Sequence, residues 1–392
     1  MLTTLKLLAF RNHSHTVLSG VGRMVALVGA NGAGKTNLLE AVSLFAPGRG
    51  LRGAAAEDFG RAEEAGTGGG WGISALLHSG HDCTELHTGI RPADTLSTST
   101  TAAAAVSEGG DSGKDSVKRR QILADGKAIS QADLLDQLHI HWLTPAYDQL
   151  LVGAVGDRRR FLDRLVFGLF PQHLRGLNRY EHGLRERMTL LRHPSPNGRW
   201  LDAVEAKLAE NALAIAAARL EVATRLNRLL AEQRDGFLQA RLSLNGMVEQ
   251  ALATGQTALA VEEALRAAMS QARANDAAQG INSHGVHRSD LVVSDAAGNR
   301  PGARCSTGEQ KALMLSLTLA YMRLVTTDSA KPALLLLDEV VAHLDARRRR
   351  ALGEQLADLP CQLWLTATDA SFFDGWPGDT NQFFAVDHGR VT

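Results

Sequence analysis

Apolar residues along this chain change rhythm twice. Met24-Val25-Ala26-Leu27-Val28 is an unbroken apolar run, and after a Gly-rich stretch Asn37-Leu38-Leu39-Glu40-Ala41-Val42 places its apolar residues at helical spacing, which predicts strand, loop and helix. Gln121-Ile122-Leu123-Ala124-Asp125-Gly126-Lys127-Ala128-Ile129 predicts a hairpin around an Asp-Gly turn. From about Pro171 the pattern becomes helical. Leu177, Leu184 and Leu191 recur every seven residues, as do Leu201, Leu208, Ile215, Val222 and Leu229, and the breaker His193-Pro194-Ser195-Pro196-Asn197-Gly198 separates the two sets. Two antiparallel helices follow, the second about 30 residues and about 45 Å long, enough to project from a globular body but far short of a long coiled coil. Asn211 and Arg225 interrupt the companion apolar positions, so the pair is either a free arm or a helical subdomain packed on the rest. Near the far end, Lys311 to Ala320 forms an amphipathic to fully apolar helix. Ala333-Leu334-Leu335-Leu336-Leu337 then runs into Asp338 and Glu339, the pattern of a buried parallel strand whose C-terminal end faces a ligand. The whole predicts an α/β fold interrupted by a mainly helical insertion.

With 392 residues and 44% apolar content the chain can bury a sizeable core, either as two domains or as one with an insertion. Lys and Arg balance Asp and Glu at 42 each, so net charge says nothing about nucleic acid and only local clusters do. These are Lys118-Arg119-Arg120, Arg158-Arg159-Arg160 and Arg347-Arg348-Arg349-Arg350, with Arg49 and Arg52 nearer the start. Each fits a solvated helix face as well as contact with DNA phosphates, and Arg158 to Arg160 also fit ion pairs with Asp157 and Asp163. Cys83, Cys305 and Cys361 show neither metal spacing nor an even disulfide framework, as expected in a reducing cytosol. No apolar run reaches the length of a membrane span, which leads us to expect a cytoplasmic protein without a membrane partner. Thr95 to Ser116, rich in Ser, Thr, Ala and Gly, reads as a flexible surface loop.

The Gly-rich stretch carries the strongest chemistry. Gly29-Ala30-Asn31-Gly32-Ala33-Gly34-Lys35-Thr36 matches the Gly-x-x-x-x-Gly-Lys-Thr phosphate loop, in the strand-loop-helix context that the motif needs. Its backbone N–H groups and the helix N-terminus suit phosphate oxygens, Lys35 would neutralise the terminal phosphates of ATP, and the Thr36 hydroxyl would ligate Mg2+. Asp338 would hold the same metal through its water shell, and Glu339 would orient and polarise the attacking water. Ser306-Thr307-Gly308-Glu309-Gln310 opens the apolar helix about 30 residues before Asp338; it offers a hydroxyl and N–H groups to an anion, or is simply a helix cap. About 270 residues separate the phosphate loop from this second half, so the nucleotide-binding unit is split by a large insertion.

In this order, phosphate loop, Ser306 to Gln310, Asp338-Glu339 and His343-Leu344-Asp345 resemble ABC-type ATPase heads, and the details resemble the RecF family of DNA replication and repair proteins. The residues that carry the family resemblance are Leu8-Ala9-Phe10-Arg11-Asn12-His13, Asn31 to Ala41, Gly48-Arg49-Gly50-Leu51-Arg52-Gly53, Thr144-Pro145, Asp157 to Asp163 and Gly285-Val286-His287-Arg288-Ser289-Asp290. It implies a P-loop ABC-type ATPase head formed by both chain ends (1–168 and 281–392) with an inserted helical arm domain (169–280). It further implies that Ser306, Gly308, Gln310 and Asp345 meet ATP bound to a second copy, in an ATP-dependent homodimer on duplex or gapped DNA. Hydrolysis through Glu339 would release that dimer, a weak DNA-stimulated ATPase acting as a switch, while RecO and RecR assist RecA loading on single strands. The competing reading is an ATP-binding structural module, or another SMC- or ABC-like DNA ATPase without a role in RecA loading. A transporter ATPase would bring its signature much closer to its phosphate loop, and a nuclease would need a further acidic cluster after Asp345, where the remaining residues show none. Three positions stay open. Asp148 and Gln149 are candidates for the magnesium-contacting loop residue; Thr366 or Thr368 either touches the γ-phosphate or ends the strand; His287-Arg288 reaches a phosphate or DNA, or decorates the surface.

Overall fold

Strands β1 (Leu2–Phe10), β2 (His13–Ser19) and β3 (Met24–Val28) lead into helix α1 (Lys35–Ser43), followed by β4 (Trp71–Ser79), β5 (Asp82–Ile90), β6 (Gln121–Ala124), β7 (Lys127–Ala128), α2 (Gln131–Gln137) and β8 (His139–Leu143). The middle of the chain supplies α3 (Val155–Leu169), α4 (Gln172–Leu191), α5 (Gly198–Glu232), β9 (Ala240–Asn245), α6 (Met247–Ala253), α7 (Ala258–Gln279), β10 (Asp290–Asp295), β11 (Arg300–Pro301) and α8 (Thr307–Asp328). The end adds β12 (Ala333–Leu337), α9 (Ala346–Ala357), β13 (Gln362–Ala367), β14 (Asn381–Asp387) and β15 (Arg390–Val391). This computed structural model describes residues 1–61, 70–90, 120–232, 238–377 and 381–392, so the loop expected at Thr95 to Ser116, with Lys118 and Arg119, lies outside the described residues.

Packing divides the chain into two compact units, Met1–Pro145 with Ala330–Thr392, and Ala146–Ser329. This cut differs from the functional one expected at 168/169 and 280/281, because α3 and α8 both pack against α5.

The first unit holds two six-stranded sheets, ordered β2-β1-β4-β5-β6-β7 and β15-β14-β3-β13-β12-β8. In the second of these, β8, β12, β13, β3 and β14 all run parallel. Every residue of β12 and β13 is buried, which explains why β12 reads as a continuous apolar run rather than an alternating one. Helix α1 touches β1 of one sheet and β8 and β13 of the other, and seven of its nine residues are buried. The expected hairpin forms at β6 and β7, where Asp125 and Gly126 take φ of 49° and 76°, the positive pair that a two-residue turn of matching twist requires. Because β3, β13 and β12 are neighbours in register, the segments that follow them emerge side by side at one edge of the sheet.

The second unit is built on α5. Its 35 residues, about 52 Å, pack on α3, α4, α6, α7, α8 and β9, so the helix is the spine of a compact body and not a free arm. Leu201, Leu208, Ile215 and Val222 are buried as the heptads predict, but at the last step Leu230 is buried and Leu229 only half so. A straight helix of 3.6 residues per turn drifts about 20° per heptad, and after four heptads the buried face has moved on by one residue. The interrupting polar residues find partners: Arg225 pairs with Asp328 of α8, and Asn211 Nδ2 donates to Lys207 O at 2.8 Å. No helix among the described residues is long and apolar enough to cross a membrane.

Candidate functional site

The end of β3 and the start of α1 place the phosphate-loop residues as a turn. Gly32 and Gly34 hold φ of 81° and 115°, Ala33 N donates to Ala30 O at 3.2 Å, and Asn31 is exposed. Lys35 is buried, its ammonium donating to Gly29 O at 2.6 Å and Ala30 O at 2.9 Å. Burial draws the Lys35 pKa below its ordinary value, while Glu339 and Asp338 act in the other direction.

The opposite wall comes from β12 and β13. Thr36 Oγ1 donates to Asp338 Oδ1 and lies 2.9 Å from it and 3.2 Å from Oδ2. Thr366 Oγ1 donates to the same Oδ1 at 2.8 Å and accepts from Glu339 N at 2.8 Å. The Asp338 carboxyl is raised by burial, against which the hydroxyls of Thr366 and Thr36 and the charge of Arg52 act. Glu339 is half-buried and takes φ of 54°. Residues about 300 apart in sequence thus meet at a hydroxyl and a carboxylate, a set of hard oxygen donors suited to Mg2+ beside a loop suited to phosphate. Among the described residues no group of three or more His, Cys, Asp and Glu is placed to hold a metal, so the donors here are the one hydroxyl and the carboxylate.

The N-terminal motif Arg11-Asn12-His13, recognised in the sequence without a role, braces this loop from behind. Asn12 Nδ2 donates to Ala33 O at 3.1 Å, and Asn37 Nδ2 donates to Asn12 Oδ1 at 2.7 Å. The His13 ring nitrogens lie 2.9 Å from Thr16 Oγ1 and 3.3 Å from Gly34 O, and burial lowers the His13 pKa. Glu40, fully buried on α1, is gripped by Arg11 through two bonds of 2.9 and 3.0 Å and by Arg52 at 3.0 Å. Arg52 also donates to Asn37 Oδ1 at 2.7 Å, so this member of the cluster near the loop orders α1, while Arg49 is exposed. Glu40 is thus a buried anchor on α1, held by arginines from two separate segments.

The last residues of the chain complete the brace. Gly389 N donates to Ala33 O at 2.9 Å and Gly389 O accepts from Thr16 at 3.1 Å. Its φ is 78°, and a Cβ there would lie 2.3 Å from Asn12 O. Gly389→Ala is therefore expected to destabilise the first unit by about 2–4 kcal/mol, from left-handed strain plus overpacking. Gly20→Ala is the matched control, because its φ is 64° with open space around it, and should lose only about 1 kcal/mol. Guanidinium unfolding of the two variants decides it, and equal losses would discard the brace.

Ser306 is the N-cap of α8: its hydroxyl accepts from Glu309 N at 3.3 Å, and Glu309 Oε2 accepts from Ser306 N at 2.7 Å. Arg300 donates to Glu309 at 2.8 Å; with the Ser306 N–H it holds that carboxyl down at about 2. Ser306 and Gly308 are exposed, whereas Gln310 is buried and donates to Cys305 O at 2.9 Å. Asp345 is exposed and caps α9, accepting from Arg348 N at 2.8 Å.

The open positions sort themselves by partner. Asp148 pairs with Lys311 of α8 at 3.0 Å, and Gln149 is exposed. Thr366 is turned inward and Thr368 is exposed just beyond β13. His287 is half-buried between Tyr180 OH at 3.0 Å and Asn282 O at 2.8 Å, and desolvation pushes its pKa down to about 4; Arg288 donates to Asn282 O. Arg158 is spent on Asp290, Arg159 on Ser289 O and Arg160 on Asp157, while Asp163 serves Arg219 and His173. Arg120 donates to Gly48 O at 3.1 Å. Arg347, Arg348 and Arg350 are exposed on α9, and Arg349 stacks over Phe372.

No protein-family model matches the chain. It is 40% identical over 392 residues to a DNA replication and repair protein RecF of Mesorhizobium japonicum, covering 100% of this chain and 97% of that one. It is 41% identical over 398 residues to a protein of the same name from Brucella suis, covering 99% and 95%. Its fold is similar to the solved structure of a recombination mediator protein RecF-ATP in the RecFOR pathway, with a TM-score of 0.82 at 20% identity, over 100% of this chain and 98% of the other. A Smc head bound to the C-winged helix domain of ScpA matches with a TM-score of 0.52 at 14% identity, over 100% and 96%. These likenesses show that the chain has the mixed α/β fold of the RecF and Smc head structures.

Proposed function

The chain belongs to the RecF family of DNA replication and repair proteins, and from that premise we propose that it is an ATP-dependent DNA-binding protein of recombinational repair and replication. The observation that carries this is the Thr36–Asp338 contact, which closes a phosphate loop onto an acidic strand and sets Glu339 next to it. In this reading the head comprises 1–168 and 281–392, the arm 169–280, and the protein acts in the cytoplasm. Bound Mg2+ would neutralise charge on the phosphates of ATP. Gly29, Ala30, Asn31, Gly32, Ala33 and Gly34 would present the loop backbone to those phosphates; Lys35 would supply a positive charge; Thr36, and Asp338 through the water shell, would hold the metal; and Glu339 would orient and polarise the attacking water as a general base.

Dimerisation draws support from Gly308. A Cβ there would meet nothing within 4 Å in this chain, so no contact within the chain calls for a glycine in this first turn of α8. Its reason lies outside the chain, in the approach of a second copy's nucleotide to Ser306 and Gly308, with Gln310 holding the turn from within and Asp345 facing the same partner. The dimer would close on duplex or gapped DNA, act with RecO and RecR in loading RecA, and reopen on slow, DNA-stimulated hydrolysis.

Sedimentation of the wild type and Lys35→Ala with ATP, Mg2+ and duplex or gapped DNA tests this. The wild type is expected to dimerise and bind DNA only with ATP, and Lys35→Ala to remain monomeric. An ATP-independent monomer that ignores DNA in both forms overturns the proposal.

A further inference from the structure

Thr366 is a polar residue in a strand that otherwise has every reason to be apolar. It sits in β13 among Leu363, Trp364, Leu365 and Ala367, it is 1% exposed, and β13 lies between β3, which enters the phosphate loop, and β12, which ends at the two acidic residues. Valine would fill the same volume without a buried hydroxyl, so packing does not explain the threonine. The hydroxyl is fully used. Its oxygen accepts from Glu339 N at 2.8 Å and its proton goes to Asp338 Oδ1 at 2.8 Å, the atom that also accepts from Thr36.

Two consequences follow from that bridge. Asp338 Oδ1 is turned toward two hydroxyls, which sets the rotation of the carboxylate and the direction of Oδ2. Glu339, a residue with a Cβ, is kept at φ of 54°, a left-handed conformation that needs a local hold, and its side chain leaves the backbone from that orientation. A single buried hydroxyl therefore orients both members of the acidic pair.

We propose that Thr366 is a positioning residue for ATP hydrolysis, aligning the metal-holding carboxylate of Asp338 and the backbone of Glu339 without touching the nucleotide. The inference rests on the ATPase reading above and deepens it. It also separates Thr366 from Thr368, which is exposed at the strand end and free of this bridge.

The test uses the full chain carrying Thr366→Val or Thr366→Ser, with fluorescent ATP binding titrated against Mg2+, and kcat measured with DNA. Thr366→Val is expected to bind nucleotide within about threefold of wild type at saturating Mg2+, to need about tenfold more Mg2+ for half-maximal binding, and to lose about 30- to 100-fold in kcat. Thr366→Ser, which keeps the hydroxyl and drops the methyl, should recover most of both. Valine turning over within twofold of wild type with an unchanged Mg2+ requirement overturns the role, as does serine failing as badly as valine, because the methyl rather than the hydroxyl would then matter. A wild type that binds ATP but never hydrolyses it overturns the hydrolytic reading itself, a different outcome from a wild type that hydrolyses and a valine variant that matches it.

Discussion

Glu339→Gln is expected to slow ATP hydrolysis by about 10²- to 10⁴-fold while leaving ATP binding intact, and to hold the protein on DNA as a closed dimer. The substitution keeps the shape of the side chain and removes only its ability to take a proton. Nothing that grips the phosphates changes: Lys35 remains on the loop carbonyls, and Thr36 and Thr366 still converge on Asp338. The backbone bond from Glu339 N to Thr366 also persists, so the position at the end of β12 is preserved. Loss of turnover without loss of binding converts a transient ATP state into a lasting one, and mass action then stabilises whatever binds that state. Single-turnover hydrolysis and sedimentation on gapped DNA should be run together. If Glu339→Gln turns over as the wild type does and leaves DNA binding unchanged, ATP is a structural ligand of this chain and the switch is lost.

Arg219→Leu is expected to destabilise the helical unit by about 3–5 kcal/mol, the range for removing one partner of a buried charge network. Arg219 is 1% exposed on α5 and donates to Asp163 Oδ1 and Oδ2 at 2.8 and 2.9 Å, to Glu249 at 3.1 Å and to Val286 O at 2.8 Å. It ties α3, α5, α6 and the turn before β10 to one point. Leucine leaves two buried carboxylates facing a carbonyl and each other's field. Arg225→Leu is the control, since Arg225, on the same helix as Arg219, forms only a partly exposed pair with Asp328 of α8 and its loss should lie within about 1 kcal/mol. Denaturant unfolding near neutral pH separates the two, and equal losses would remove any special weight from the buried network.

The same network sets an acid response. Burial acts to raise the Asp163 carboxyl, but His173 and Arg219 outweigh it and hold the pKa below its ordinary value of 3.8. Stability from this group is therefore present above about pH 4 and lost as pH falls through the lowered folded value. In Arg219→Leu much of that hold is gone, so the acid limb of a pH titration should move to higher pH.

Legibility followed contiguity. The phosphate loop, the acidic end of β12 and the α8 cap were readable because each is a run of neighbouring residues whose chemistry depends on local backbone geometry. The heptads of α5 gave the helix and its length to within a few residues, but not its setting, since a helix buried on several sides and one that projects share the same apolar stripe over most of its length. Arg158 to Arg160 show the reverse case. The basic run fits a surface for phosphates as well as ion pairs with Asp157 and Asp163; Arg160 does pair with Asp157, but only the positions of Asp290 and the Ser289 carbonyl, more than 120 residues away, show where the Arg158 and Arg159 guanidinium groups go.

The chain's order of residues was enough to identify its family and to point to a nucleotide-binding unit split by an insertion, because motif and spacing are properties of the strand itself. The brace behind the phosphate loop, formed by Asn12, His13 and Gly389, and the bridge from Thr366 to Asp338 and Glu339 needed the folded chain. These contacts join segments up to about 370 residues apart, and what brings them together is the order of strands in a sheet, which no local pattern encodes.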